Sequence, residues 1–228
     1  MPDTPQIKET EVNIEIQELL GPLGYKTIED VRPSIMDNIV AEVERCREMI
    51  AGKMIFVCRD FKRLTDSDTI TTNGLTIKDE TLVSSLDGAN SLAVAVCTIG
   101  PAIDKHVEEC FNKGDFLTGM VADAMGNRAV EDVARTCARH ICAEASKRNL
   151  CTSAQLSPGY GTWDTSGQKP VFAMLDPSPI GVSLNEYCMM DPKKSVSFVV
   201  PLVEGESHHE ERPPCHGCNF KNCSYRRT

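Results

Sequence analysis

Residues 69–77, with the sequence TITTNGLTI, decide the fold class of this 228-residue chain. Asn73 and Gly74 are the pair that a type I′ turn favours, because both of its central residues need positive φ. The β-branched Thr and Ile residues on either side favour strands. The stretch therefore predicts a β-hairpin, which is an antiparallel pair. Strands alternate with helices elsewhere in the chain, but the hairpin argues against a purely parallel sheet. We predict an α+β fold with a twisted, mostly antiparallel sheet flanked by helices.

On either side of the hairpin, the spacing of apolar residues predicts further elements. Three- and four-residue spacing, together with flanking Gly and Pro signals, predicts helices over residues 14–20, 33–51, 101–113, 116–149 and 184–189. Short apolar runs predict strands over residues 54–58, 92–98, 171–175 and 195–200. Residues 1–13 are polar, and we expect them to be disordered or loosely attached.

The composition changes after Val203. Residues 204–214, EGESHHEERPP, are charged, end in two prolines and have no periodicity. We therefore predict an α+β domain over residues 1–203 and a linker with a Cys-rich tail over residues 204–228.

Net charge, apolar run length and the N-terminal composition argue against nucleic-acid binding, membrane insertion and secretion. A net charge of −9 is unsuited to nucleic acid, because binding to phosphates requires Lys and Arg. No run approaches the roughly 20 apolar residues that span a bilayer. The polar N-terminus lacks the features of a signal peptide. We expect a cytoplasmic protein that binds neither nucleic acid nor membrane.

Eight of the eleven cysteines are scattered along the chain, and most of these sit beside apolar residues in periodic segments. Free Cys is among the most buried residue types, so we expect these to be reduced thiols that pack as small hydrophobic groups. The eight are Cys46, Cys58, Cys97, Cys110, Cys137, Cys142, Cys151 and Cys188.

Residues 157–163, SPGYGTW, form the most unusual loop of the sequence. Pro restricts φ and the two glycines relax it, so backbone groups can approach a ligand closely. Tyr160 and Trp163 could stack on a flat or cationic group. A plain structural turn and a ligand-binding loop are both compatible with these residues.

Three longer stretches occur in one order along the chain. They are AVCTIGPAID at 95–104, continuing to GDFLTGMVADAMGNRAVED at 114–132, then SPGYGTWDTSGQKPVFAML at 157–175, then IGVSLNEYCMMDPKKSVSF at 180–198. Together they resemble the reactivation domain of cobalamin-dependent methionine synthase, which binds S-adenosylmethionine. The N-terminal IQELLGPLGYK resembles the start of stand-alone members of that family.

The resemblance implies a set of ligand-binding residues. In the family, an Arg-x-(Ala/Ser)-Pro-Gly-Tyr loop holds S-adenosylmethionine, and Ser157, Pro158, Gly159 and Tyr160 match it here. The Arg position is occupied by Gln155, which is neutral and lacks the donor fork. Either the binding is weaker, or another cation takes its place. Glu131 matches a helical glutamate whose carboxylate can pair with the ligand amino group.

The resemblance also implies the reaction. In the family, methyl transfer from S-adenosylmethionine captures transient cob(I)alamin, so that inactive cob(II)alamin returns to methylcobalamin. Because the cofactors supply the reactivity, no catalytic side chain is nominated. The sequence lacks an Asp-x-His-x-x-Gly signature for cobalamin, so the corrinoid is expected on a partner: a corrinoid-binding protein or methionine synthase modules. An electron-donor protein is a further expected partner.

The tail contains the second group of chemically distinctive residues. Cys215, Cys218 and Cys223 form a C-x2-C-x4-C pattern, which suits an iron–sulfur cluster or zinc. An iron–sulfur cluster is favoured because reactivation consumes an electron. The fourth ligand is open among Cys188, His208, His209, His216 and a partner residue.

Two other functions compete with a reactivase. The first is a non-catalytic scaffold that docks a corrinoid protein with weakened or lost S-adenosylmethionine binding, which Gln155 favours. The second is a Rossmann-type methyltransferase, which is disfavoured because no strand is followed by a G-x-G-x-x-G turn.

Overall fold

The computed structural model of the protein describes residues 4–64 and 68–205. In chain order its strands and α-helices are β1 (Gln6–Thr10), α1 (Gln17–Leu20), α2 (Pro33–Met49), β2 (Gly52–Asp60), β3 (Lys62–Arg63), β4 (Thr69–Thr72), β5 (Leu75–Lys78), α3 (Glu80–Ser85), β6 (Ser91–Thr98), α4 (Ala102–Asn112), α5 (Phe116–Ser146), β7 (Leu150–Thr152), α6 (Gln168–Met174), β8 (Ser183–Leu184), β9 (Met190–Asp191) and β10 (Ser195–Glu204).

The main sheet has five strands in the order β1-β2-β6-β10-β7, and each neighbouring pair is antiparallel. A three-stranded sheet, β3-β4-β5, and the short pair β8-β9 complete the β-structure of the described residues. The α+β fold with a mostly antiparallel sheet and flanking helices is therefore confirmed.

The two faces of the main sheet have different coverings. Alternate residues of β6 point to opposite faces, as the pleat requires. Ala93, Ala95 and Cys97 face the helices α1, α2, α4 and α5, whereas Val94 and Val96 face α3, α6 and the β4–β5 hairpin. The small side chains on the first face let the 31-residue α5 lie close to the sheet. Both cores are apolar, so each face of the sheet is buried.

The hairpin turn has the conformation that its sequence predicts. Asn73 and Gly74 have φ of 46° and 77°, so both central residues adopt positive φ. The flanking strands β4 and β5 pair in antiparallel register. Four of the predicted helical segments are also helical, although the first is reduced to the four residues of α1. The predicted strands at 54–58, 92–98 and 195–200 are confirmed within β2, β6 and β10.

Two predictions near the C-terminal part of the domain are wrong. Residues 171–175 belong mostly to α6, because Gln168, Val171 and Met174 are buried at three-residue steps, and a short apolar run does not distinguish strand from helix. Of residues 184–189, Leu184 ends β8 and residues 185–189 form the turn to β9. There the Asn185 side chain accepts backbone hydrogen bonds from Tyr187 and Met189, which competes with helix formation.

The prediction that residues 1–13 are disordered or loosely attached is also wrong for part of that segment. β1 pairs along its length with β2. Its apolar content is low and Ile7 is half-exposed, so the backbone ladder places it at the edge of the sheet. Within residues 4–64 and 68–205, no helix has the length and apolarity to cross a membrane.

Candidate ligand-binding site

The candidate loop begins beside the edge of the main sheet. Leu156 exchanges two backbone hydrogen bonds with Val199 of β10, at N–O distances of 2.9 and 2.8 Å. β7 pairs with β10 only over residues 202–204, so Gln155 and the start of the loop lie next to the earlier part of β10. Gln155 itself is exposed.

Two glycines and three backbone hydrogen bonds shape the loop, one of which Tyr160 N donates to Ser157 O at 3.2 Å. Gly159 and Gly161 have φ of 88° and 61°, values that favour glycine. Gly159 N donates to Trp163 O at 2.8 Å, and Trp163 N donates to Tyr160 O at 3.1 Å. Gly161 and Thr162 are exposed residues, and their N–H groups have no hydrogen-bond partner among the described residues. These two donors are therefore available to a ligand.

The two aromatic residues of the loop have different environments. Tyr160 is 69% exposed, whereas Trp163 is 4% exposed and belongs to the core of the second sheet face. Trp163 Nε1 donates to Asp79 Oδ2 at 2.9 Å. Trp163 thus anchors the loop to the domain. Of the two aromatic residues, only Tyr160 has a ring that is exposed to a ligand.

Glu131 lies on α5, which covers the first sheet face. Its side chain is 44% exposed, and its Oε2 accepts a hydrogen bond from Arg128 Nη1 at 3.0 Å. The buried Arg128 also donates from Nε to the backbone oxygen of Glu18 at 3.2 Å. Partial burial raises the pKa of Glu131, and the positive charge of Arg128 opposes that shift.

A cation whose side chain is 12% exposed lies on the same side of α5 as Glu131. Lys194 Nζ donates to Asp123 Oδ1 at 2.5 Å and to Asn127 Oδ1 at 2.8 Å. Asp123, Asn127 and Glu131 are four residues apart and therefore share a helix face. Lys194 fastens the start of β10 to this face.

The structure brings some predicted site residues together and separates others. Ser157, Pro158, Gly159 and Tyr160 form one turn, with Gln155 just before it, whereas Glu131 belongs to a helix on the other sheet face from Trp163. Sequence reasoning missed Asp79 and Lys194. The sequence DET at 79–81 is a helix-start signal that could have identified Asp79 as a cap, but nothing local links it to Trp163.

A second cluster of polar side chains joins α2 to α4. Glu42 Oε1 accepts from Cys46 Sγ at 3.4 Å and contacts His106 Nε2 at 2.5 Å. Cys110 Sγ lies 3.7 Å from the same His106 nitrogen. Burial, and then the charge of Glu42, raises the pKa of both thiols. Beside the cluster is a cavity of about 500 Å³, lined by His106, Cys110 and the ends of both helices. High thiol pKa values disfavour a nucleophilic role for these cysteines.

In the part of the chain that the structure describes, no three His, Cys, Asp or Glu side chains converge on a point that could hold a metal ion. The predicted ligands Cys215, Cys218 and Cys223 lie outside the described residues. None of the eight other cysteines, all of them described, forms a disulfide; seven are buried and Cys151 is half-buried.

Comparison with known proteins identifies the fold. No protein-family model matches the sequence, and no curated protein matches it. A solved structure of the MetH reactivation domain bound to AdoHcy is similar, with a TM-score of 0.63 and 12% sequence identity. The match covers 87% of this chain and 78% of that one. The chain therefore has the fold of the MetH reactivation domain.

Proposed function

We propose that this protein binds S-adenosylmethionine and supports the reductive methylation of a corrinoid carried by a partner protein. The observation that carries the proposal is the SPGY turn, which occurs beside β10 in the fold of a domain whose solved structure contains AdoHcy. AdoHcy is what remains of S-adenosylmethionine after methyl transfer, so the similarity points to the methyl donor.

The loop has the chemistry that such a ligand requires. Gly161 and Thr162 offer backbone donors, and the exposed ring of Tyr160 can stack on adenine or on the sulfonium cation. Ser157, Pro158 and Gly159 set the turn that presents these groups. Glu131 lies on the other sheet face from Trp163, so its assignment to the ligand amino group rests on the family resemblance alone, and it would bind in competition with Arg128. Positioning of the methyl group is the task of these residues, since the corrinoid supplies the reactivity.

A two-part experiment tests the proposal. Calorimetry with S-adenosylmethionine on the folded full chain should give saturable binding, and Tyr160→Ala or Gly159→Val should weaken it by about tenfold or more, which is about 1.4 kcal/mol. Methyl transfer is then measured with free cobalamin, a strong chemical reductant and labelled S-adenosylmethionine. Unchanged affinity in both folded variants would contradict the loop assignment, and an absence of any binding would contradict the function.

The partners and the tail form the finer part of the proposal. The corrinoid arrives on a separate corrinoid-binding protein or on methionine synthase modules. Cys215, Cys218 and Cys223 bind one metal centre, with an iron–sulfur cluster favoured over zinc. The chain divides into a domain over residues 1–203 and this tail over residues 204–228, with Glu204 still paired in β10, and the protein acts in the cytoplasm.

Two observations favour a second function, that of a scaffold without methyl-donor chemistry. Gln155 replaces the cation that would meet the ligand carboxylate, and Glu131 is already paired with Arg128. A scaffold would bind a corrinoid protein and give no calorimetric signal with S-adenosylmethionine. The calorimetric titration therefore separates the two functions.

A further inference from the structure

We propose that Asp79 is a positioning residue for the ligand loop, which it holds in its binding shape through Trp163. This inference rests on the proposed function for the meaning of the loop, but the contact itself is independent of that function. Asp79 lies at the junction of β5 and α3, far from the loop in sequence.

Asp79 is fixed by four hydrogen bonds, one of which Val83 N donates to its backbone oxygen at 2.9 Å. Its Oδ1 accepts from Leu82 N at 2.9 Å, which caps the N-terminus of α3. Its own backbone N donates to Asp68 O at 2.9 Å. The remaining oxygen, Oδ2, accepts from Trp163 Nε1 at 2.9 Å. The carboxylate is thus held by main-chain groups and offers a fixed acceptor to the indole.

Trp163 transmits this position to the loop. Its ring is buried in the second core, and its backbone N and O both bond within the turn, to Tyr160 and Gly159. A shift of the indole would therefore displace the turn that carries Tyr160 and the free donors of Gly161 and Thr162. A hydrogen bond to a carboxylate is stronger than a neutral one, so its loss should loosen this connection.

The glycine at position 167 also indicates that the indole of Trp163 has a fixed position. A Cβ at Gly167 would collide with Nε1 and Cε2 of Trp163. The position follows Trp163 by one short turn, and its φ of −57° is accessible to any residue. Glycine is therefore required there by the space of the indole and not by the backbone conformation.

The experiment uses Trp163 as its own probe, because it is the single tryptophan of the chain. Asp79→Asn keeps an oxygen for Leu82 but cannot accept from both donors. The matched control is Asp115→Asn, since Asp115 caps α5 through Thr118 N at 3.3 Å in the same way. Both variants are compared with the wild-type chain for tryptophan emission, acrylamide quenching and S-adenosylmethionine affinity, after circular dichroism has shown them to be folded.

We expect Asp79→Asn to shift the emission to the red, to raise the quenching constant by about twofold and to weaken S-adenosylmethionine binding by about fivefold or more, while Asp115→Asn changes none of these. Trp163→Phe keeps an aromatic ring, though a smaller one, and removes the N–H; it should weaken binding at least as much as Asp79→Asn. The double variant should be no weaker than Trp163→Phe alone.

Wild-type quenching in Asp79→Asn would overturn the proposal, and so would raised quenching with unchanged affinity. If Asp79→Asn fails to fold, the affinity of Trp163→Phe decides in its place, and wild-type affinity in that variant overturns the proposal. A wild-type chain that binds no S-adenosylmethionine would remove the proposed function alone; the quenching of Asp79→Asn against Asp115→Asn would then decide whether Asp79 holds the loop.

Discussion

His106 Nε2 lies 2.5 Å from Glu42 Oε1, and this contact links α4 to α2 below the protein surface. The two side chains are only 12% and 7% exposed. Exposed ion pairs contribute little to stability, but a buried polar pair is costly to break because one partner is left unsatisfied.

The first prediction concerns this pair. Glu42→Ala leaves both His106 and Cys46 without their acceptor, and should lower the free energy of unfolding by about 3 kcal/mol. Urea denaturation measures the change. Glu109→Ala is the control, since its pair with Lys113 is exposed, and it should cost less than about 0.5 kcal/mol. Equal effects in the two variants would show that the buried pair does not stabilise the domain.

The second prediction concerns the space around the indole. Gly167→Ala should destabilise the domain by about 1–3 kcal/mol, because the new methyl group would force Trp163 from its site. Tryptophan emission should shift to the red together with the loss of stability. Gly119→Ala is a suitable comparison, because its Cβ would meet the half-exposed ring of Phe111, which can move away. Normal emission in Gly167→Ala would mean that the indole adapts without leaving Asp79.

The third prediction follows from the raised pKa of Glu131. Burial disfavours the ionised carboxylate more than Arg128 favours it, so the folded-state pKa lies above the ordinary value of 4.5. Because the folded domain favours the protonated carboxyl, protonation stabilises it fully at pH values below the unfolded-state pKa. This stabilisation is lost as the pH rises through the folded-state pKa. Glu131→Gln should therefore raise the melting temperature at pH 7 and have no such effect at pH 4.

The control for Glu131 is Glu186→Gln, which makes the same change of net charge in an exposed turn. If Glu131 pairs with the ligand amino group, Glu131→Gln should also weaken S-adenosylmethionine binding at pH 7 while the domain is more stable. If Glu131→Gln lowered both the melting temperature and the S-adenosylmethionine affinity at pH 7, the prediction that stability rises while affinity falls would be contradicted.

The fourth prediction concerns the missing cation. Gln155→Arg places a guanidinium beside β10 at an exposed position, so the domain should tolerate it. A charge-assisted bond to the ligand carboxylate is stronger than a neutral one, so S-adenosylmethionine should bind more tightly by calorimetry. Gln155→Lys adds the charge without the donor fork and should give a smaller gain. Equal or weaker binding in both variants would indicate that another cation already serves the carboxylate, and Lys194→Met would then be the next variant.

Much of the fold could be predicted because its signals are local. The Asn73-Gly74 turn, the apolar run of β6 and the three- and four-residue spacing of α5 each depend on nearby residues alone. β1 was missed because an edge strand is specified by its partner and has little apolar content of its own. Residues 171–175 were assigned to a strand because five apolar residues fit a short helix equally well.

The site was less predictable than the fold for a related reason. The loop residues 157–160 stand out by composition, but the fastening of the loop depends on Asp79, which only the folded chain brings to Trp163. The environment of Glu131 likewise depends on Arg128 and on the distant Glu18 backbone. Such long-range polar contacts have no periodic signal in the sequence.

The last prediction concerns the C-terminal tail. Cys215, Cys218 and Cys223 place three soft ligands within nine residues, and a charged, proline-containing segment separates them from the domain. We predict that they bind one metal centre and that the described domain folds without them. Deletion of residues 206–228 should leave S-adenosylmethionine affinity nearly unchanged and should abolish the metal content and any ultraviolet–visible signal of the anaerobically prepared protein.

Cys188→Ser in the full chain is the control, because this thiol is buried in the β8–β9 turn of the domain and should leave the metal in place unless it is the fourth ligand. If the centre is an iron–sulfur relay, the truncated protein should support corrinoid reactivation slowly with a protein electron donor and normally with a strong chemical reductant. A full-length chain that carries neither iron nor zinc after anaerobic preparation with iron and sulfide would contradict the metal prediction. Zinc alone under the same conditions would make the tail a structural or docking element, and the electron would then have to come directly from a partner.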